Sequence, residues 1–377
     1  MIKKKECCGC TACMHICPVK CISMQEDEEG FLYPVTDEER CIHCNKCEKV
    51  CPFHNTTNIN AQTDAFIGYN KNEEIRKQSS SGGIFWTVGE WILQQNGVVF
   101  GAAFNEDFEV CHIATETRED MAKLRGSKYV QSRLGNAYPK VKDYLNKNRK
   151  VLFTGTACQI EGLKRYLNKE YDNLYTVEVL CHGVPSPKIW RMYLEDKKKQ
   201  YNASIKNIEF RNKKNGWKKF SVNIEFTDMQ QYLINIHKDK FMKMFLENID
   251  LRPSCHNCRF KGFPRISDMT IGDCWGIKNY MPDMDDDKGT SVILVHSSKG
   301  KQMLEMIKES IIVREAVLDK ALPKIEGGRR AVEKHPNRKK FFKGLKRGEN
   351  IDELYGYVQK NLIQRAICYF RYFVLSR

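Results

Sequence analysis

The most constraining feature of this 377-residue chain is one spacing of cysteines given twice. Cys7, Cys10, Cys13 and Cys17 follow C-x2-C-x2-C-x3-C and are followed by Pro18. Cys41, Cys44, Cys47 and Cys51 repeat the spacing and are followed by Pro52. Ten of the seventeen cysteines fall between Cys7 and Cys51. The start, MIKKKECCGC, carries positive residues with no apolar run behind them, so it is not a secretory signal. Thiols this dense in a reducing compartment bind metal or do redox chemistry and do not form a disulfide framework.

Three closely spaced thiolates can wrap one face of a cubane cluster, and the spacing is that of the two-cluster bacterial ferredoxins. In those, the fourth cysteine of each run reaches across to the other cluster. The expected ligand sets are therefore Cys7, Cys10, Cys13 and Cys51 for one [4Fe–4S] cluster, and Cys41, Cys44, Cys47 and Cys17 for a second. Zinc usually takes four ligands from two separated pairs, which a four-cysteine run given twice does not match. Pro18 and Pro52 turn the chain away after each run. The stretch between the runs, ISMQEDEEGFLYPVTD, reads as a hairpin turning at Glu29-Gly30. Cys8 and Cys21 are left over and are read as space-filling.

No stretch approaches the roughly 20 apolar residues of a membrane span. The run Gly82 to Leu93 is broken by Glu90 and the last apolar run by Arg371. A cytoplasmic protein is expected. The formal net charge of +15 points to anionic partners: nucleic acid, a membrane surface, a phosphorylated cofactor or an acidic protein. No nucleic-acid recognition motif accompanies the charge, so nucleic acid is set aside.

The polar segment from His54 to Asp64 reads as a linker, and AFIGYN opens a new domain with a strand. The sequence QSSSGGIFWTVGEWILQQNG then places Ser79 to Gly83 at the start of an apolar helix ending near Asn96-Gly97, followed by the strand VVFGAAF. Two readings stand: a phosphate cradle at a helix N-terminus, or a serine cap on a core helix. In KLRGSKYVQS, the basic residues Lys123, Arg125 and Lys128 surround Gly126-Ser127, either as an anion clamp or as ordinary surface. VLFTGTACQIEGLKRYL and LYTVEVLCHGVPSPKIWRMYL each read as strand, loop and helix, with parallel neighbouring strands. Cys158 and Cys181 then lie at the carboxyl ends of adjacent strands, where open α/β sheets bind ligands. After a hairpin near Asn215-Gly216, Cys255 and Cys258 form a C-x2-C pair. These four thiols suggest a third [4Fe–4S] cluster; a zinc site or unliganded buried thiols fit the spacing too. Cys274 is a possible substitute ligand. His182, beside Cys181, reads as a proton donor or as a structural residue.

Taken in order, SSSGG, GVVFGAAF, LRGSKYVQS, FTGTACQIEGL, CHGVPSP, CHNCRFKG and IGDCWG resemble the beta-subunit family of coenzyme F420 hydrogenases and dehydrogenases, from about Cys7 to about Tyr280. The resemblance implies FAD as well as iron–sulfur clusters. It implies an FAD and substrate cleft formed by Ser79 to Gly83 and Leu124 to Ser132, with Ser80, Ser81, Gly82, Gly83, Arg125, Gly126, Ser127, Lys128 and Tyr129 as cofactor-binding residues. It also implies the third cluster on Cys158, Cys181, Cys255 and Cys258. The family often has an aromatic residue at the position of Cys274, and Ala157 stands where a proline is common.

From Lys324 onward the chain turns basic. Leu354, Val358, Leu362, Ala366, Phe370 and Val374 recur every four residues, as in a helix packed on the core, docked on a partner, or laid on an anionic membrane surface. The expected fold class is α/β (α+β). A two-cluster ferredoxin-type domain (1–60) precedes a larger α/β flavin-binding domain (61–150 and 151–325, the latter with the third cluster), and a basic helical tail (326–377) follows. The expected function is an iron–sulfur flavin-dependent oxidoreductase passing electrons between [4Fe–4S] clusters and FAD, and on to coenzyme F420 or another organic substrate. The alternatives are a non-catalytic electron-transfer subunit serving a ferredoxin or an oxidoreductase partner, and a redox enzyme of surface-polysaccharide synthesis with peripheral membrane contact.

Overall fold

The computed structural model describes residues 2–55, 62–322 and 328–359. Near the N-terminus, β1 (Ile22–Glu26) and β2 (Leu32–Thr36) form the expected antiparallel hairpin, with Ile22 opposite Thr36 and Glu26 opposite Leu32. Gly30 turns it with φ +89°, and a Cβ there would lie 2.3 Å from the Lys188 Cβ. Only glycine permits both that backbone and that approach. Short helices, Ala12–Ile16 from the first cysteine run and Lys46–Lys49 from the second, pack against each other beside the hairpin.

Next come β3 (Asp64–Asn70), β4 (Val98–Phe104), β5 (Val110–Thr115), β6 (Val151–Gly155) and β7 (Leu174–Val179). Asp64 therefore belongs to a strand, so the expected linker ends earlier than the composition suggests; residues 56–61 of it lie outside the described residues. A separate antiparallel sheet follows: β8 (Ile205–Asn212), β9 (Ser221–Phe226) and β10 (Gln231–Asn235). The chain then returns as β11 (Met269–Asp273), β12 (Ser291–Val295) and β13 (Ile311–Ala316). These complete an eight-stranded mixed sheet in the order β13-β3-β12-β11-β7-β6-β4-β5.

The pairings β4–β6, β6–β7 and β7–β11 are parallel, as expected for consecutive strand–helix units. β6 is buried along its whole length and β7 along all but its last residue. Neither alternates between buried and exposed positions, because helices cover both faces; the buried Glu178 of β7 is paired with Arg265. The helices Ile84–Gln94 and Ser298–Ile307 contribute to the core on one face. Ala137–Asn146 and Ala157–Leu167 contribute to the core on the other. That second core also contains Cys10, Ala12 and Val50, so the cysteine-rich module shares its apolar interior with the sheet domain.

β12 is antiparallel to both β11 and β3, so β3 runs with β4, β6, β7 and β11. The carboxyl ends of these five strands form one edge. The helices Arg338–Lys346 and Ile351–Gly356 place Phe341, Phe342, Leu345, Ile351, Leu354 and Val358 in the core around the second sheet. The remainder of the expected stripe, Leu362, Ala366, Phe370 and Val374, lies outside the described residues. Among the described residues no helix is long and apolar enough to cross a membrane.

Candidate iron–sulfur and cofactor sites

Cys7, Cys10, Cys13 and Cys51 line one cavity, which Cys47 and Cys8 also reach. The Cys13 thiol is pushed up to about 12 by burial, with Cys7, Cys51 and Cys47 raising it further. Crowded buried thiols resist ionisation unless a metal takes the charge, so the donor set fits a thiolate-held cluster. Cys7 and Cys10 are buried. Helix Ala157–Leu167 presses on this site: a Cβ on Gly162 would lie 2.7 Å from the Cys10 Cβ and 2.8 Å from the Tyr138 hydroxyl oxygen.

The other set lies further out. Cys17 Sγ is 3.4 Å from Cys21 Sγ, and Cys21 also adjoins Cys41. Cys41 acts in turn on Cys47, and Cys44 is exposed. His43 Nδ1 lies 3.9 Å from Cys41 Sγ. Glu38, Cys41 and His43 hold their ligand atoms within 4.8 Å of one another.

Cys158, Cys181, Cys255 and Cys258 line a second cavity. Three chain segments supply them. Cys158 opens the helix after β6, behind the Thr156 capping box, with Thr156 Oγ1 3.2 Å from its sulfur. Cys181 follows β7. Cys255 lies in a 3-10 turn, Pro253–Asn257, and Cys258 caps it. Burial raises the Cys181 and Cys255 thiols and pushes Cys258 up to about 12, while Lys261 opposes all three shifts. Four facing thiols, a helix N-terminus and a nearby cation suit an anionic cluster. Cys274 lies elsewhere, in an apolar cluster with Trp217 and Met284, its Sγ 3.7 Å from the Ala321 carbonyl. His182 meets Asn248 Oδ1 at 2.6 Å, and burial lowers its pKa.

Cys8 is not the filler its leftover place in the sequence pattern suggests. It lines both cavities, and it interacts electrostatically with both Cys10 and Cys158. The doublet Cys7-Cys8 is a signal, but its meaning depends on a partner far along the chain. Arg252 carries no sequence signal of its own. It is fully buried between the two cavities, directly before Pro253 and the C-x2-C pair.

The serine- and glycine-rich loop sits over the carboxyl end of β3, where Asn70 N donates to the Gly82 carbonyl at 2.7 Å. Ser81 Oγ donates to the Thr290 carbonyl at 3.0 Å, and Gly82 N donates to Ser291 Oγ at 2.9 Å. Gly83 precedes helix Ile84–Gln94 with φ +86° and gives it no side-chain cap. Ser127 joins this loop to the basic loop: its N and its Oγ meet Ser80 Oγ at 2.7 and 3.0 Å. Lys128 Nζ donates to the Arg125 and Gly126 carbonyls, both at 3.1 Å, and burial pushes it down to about 7. The Arg125 guanidinium lies over Trp86, and the space beside Gly126 is open. The Tyr129 hydroxyl accepts from Arg211 at 3.1 Å, and Arg211 makes a bidentate pair with Asp273 at the end of β11. The two expected cofactor loops thus meet at one edge. A cation held by carbonyls and an uncapped helix start are features an anionic cofactor could use.

Residues 6–55 match the family model described as 4Fe-4S dicluster domain. Residues 148–320 match the model for the C terminus of the coenzyme F420 hydrogenase/dehydrogenase beta subunit. No curated protein matches the chain. Among solved structures, it is similar to a chain of the F420-reducing [NiFe] hydrogenase complex from Methanosarcina barkeri, studied as a xenon derivative. That likeness has 17% identity and a TM-score of 0.46, and spans 68% of this chain and 83% of the other. The two family matches make the chain an iron–sulfur polypeptide of oxidoreductase type.

Proposed function

We propose that the chain is an iron–sulfur flavoprotein oxidoreductase that relays electrons through three [4Fe–4S] clusters to FAD. The outer cluster is held by Cys41, Cys44, Cys47 and Cys17, and the inner by Cys7, Cys10, Cys13 and Cys51. The third is held by Cys158, Cys181, Cys255 and Cys258. One observation carries this reading: four thiols from three chain segments line one cavity, and Cys8 links that wall to Cys10 of the dicluster module. A relay needs close spacing, and a shared wall of sulfur atoms supplies it.

FAD would lie between the loops of Ser80 to Gly83 and Arg125 to Tyr129, with Lys128 as the cation nearest its phosphates. Bound there, it would supply the exchange between single-electron and hydride chemistry. The hydride acceptor would be coenzyme F420, as the matched family's description suggests, or another organic molecule. The exposed outer site would meet a redox partner protein.

Anaerobic purification followed by iron, sulfide and flavin analysis of one sample tests this. About twelve irons and one FAD per chain are expected. About eight irons and no flavin would leave only the dicluster module as a redox unit. Turnover by the isolated chain with a reduced donor would then separate an enzyme from a subunit that only passes electrons on.

A further inference from the structure

We infer that Arg252 is the counter-cation of the inner cluster and raises its reduction potential. The inference rests on the ligand sets proposed above, and specifically on Cys7 as a ligand of the inner site.

Arg252 is 0% exposed. Its Nε donates to the Cys7 carbonyl at 2.7 Å and one terminal nitrogen to Gln131 Oε1 at 2.9 Å. The other terminal nitrogen donates to the Leu32 carbonyl at 2.9 Å and lies 3.7 Å from Cys7 Sγ. The guanidinium also sits 4.3 Å from the Tyr33 ring centre. None of these partners is a carboxylate. The groups whose charge acts on it most are Tyr33, Cys7, Cys8 and Cys255.

A fully buried cation is costly unless an anion compensates it. The other buried arginines among the described residues each pair with a carboxylate: Arg76 with Asp286, Arg211 with Asp273, Arg265 with Glu178 and Arg338 with Glu29. Arg252 has sulfur. A cluster held by four thiolates is the anion this geometry provides, and Cys7 is the ligand within reach. Adding one electron to such a cluster adds one negative charge to it. A cation and an N–H···S contact at Cys7 favour that reduced form, so the potential rises. The outer set has no buried cation among the described residues: Cys44 is exposed, and Arg40, which donates to the Val19 carbonyl at 3.0 Å beside Cys17, is itself exposed, so water screens its charge.

The test is a redox titration of the full-length, anaerobically reconstituted protein, followed by electron paramagnetic resonance. Cys44→Ser, which should remove the outer cluster, and Cys258→Ser, which should remove the third, assign the signals, because Arg252 also lines the third cavity. Arg252→Met is expected to lower the inner midpoint potential and leave the outer one in place. Arg252→Lys keeps a charge but loses the fork, so a smaller shift of the same sign is expected. Unchanged inner potentials in both variants at wild-type iron content would overturn the inference, as would equal shifts of both clusters. Should Arg252→Met fail to fold, the Lys variant and a measurement on wild type still decide. Electron–nuclear double resonance on the reduced protein labelled with 15N-arginine should show coupling to one arginine nitrogen, lost in Arg252→Lys; no coupling overturns the inference. An inner signal that survives Cys10→Ser would instead show that the ligand sets are wrong.

Discussion

The two halves of the duplicated cysteine pattern share a spacing but not an environment. Cys7, Cys10, Cys13 and Cys51 lie at an interface: Cys10 is in the same core as Phe153 and Ile160, and Cys7 touches Arg252. The second run faces outward, with Cys44 and Ile42 exposed. Sequence symmetry therefore folds into a positional asymmetry, set by what packs against each half. Equal ligands in unequal surroundings are a way to make two clusters differ in potential and in access.

The largest effect should come from breaking each half separately. Cys44→Ser should lose about four irons and keep the folded domain, because Cys44 itself is exposed. Cys10→Ser should also lose about four irons, but should disturb the third cavity as well, since Cys8 lines both cavities. Iron analysis with circular dichroism on both variants checks this. Equal structural damage from the two would break the comparison.

A smaller effect tests the docking of the module itself. Arg338 makes a bidentate pair with Glu29 at the hairpin tip, at 3.0 and 2.5 Å, and also donates to the Leu251 carbonyl. Its side chain is 6% exposed, so removing it strands a carboxylate at a largely closed contact. Arg338→Ala should destabilise the chain by about 3 kcal/mol. Denaturant unfolding would measure it, and loss of the inner cluster's signal before the outer's would localise it.

Much of this is legible in the sequence. The hairpin around Gly30, the two strand–loop–helix units and the parallel pairing of β6 with β7 follow from local periodicity and turn residues. The Ser80 loop reads as a phosphate cradle or a helix cap, the Ser127 loop as an anion clamp or plain surface, and the two loops meet. What stays hidden is long-range. Cys8 and Arg252 act only because the fold brings a segment from before the sheet and segments from between its strands into one wall. No periodicity encodes that. Cys274 looks like its neighbours by residue type alone, and only its place in an apolar cluster separates it. The Trp217–Trp275 stack, with ring centres 4.5 Å apart, is likewise unreadable from spacing.

Gly162→Ala is the gentler probe of the inner half. The added methyl would have to share space with Cys10 and the Tyr138 hydroxyl, both within 3 Å of its position. Overpacking of this kind costs about 1–3 kcal/mol. The expected result is lower thermal stability and an altered inner-cluster spectrum with an unchanged outer one. A uniform change in both would mean the module moves as one body and the asymmetry is only skin-deep.

The smallest expected effect separates both thiolate sites from the cofactor loops. Lys128 is pushed down to about 7 by burial, so in the empty site it loses its proton as pH rises past neutrality. An anion bound beside it favours the charged form and raises its pKa. Affinity for FAD should therefore be flat below about pH 7 and weaken above it, by up to about tenfold per pH unit. Lys128→Met should bind FAD more weakly and lose the dependence. Neither change should touch the iron content, because the clusters depend on sulfur held by the fold and not on this proton. Fluorescence titration of FAD across pH, with iron measured on the same samples, decides it. A pH-independent affinity would move the phosphates away from Lys128 and leave the uncapped start of helix Ile84–Gln94 as the remaining anchor.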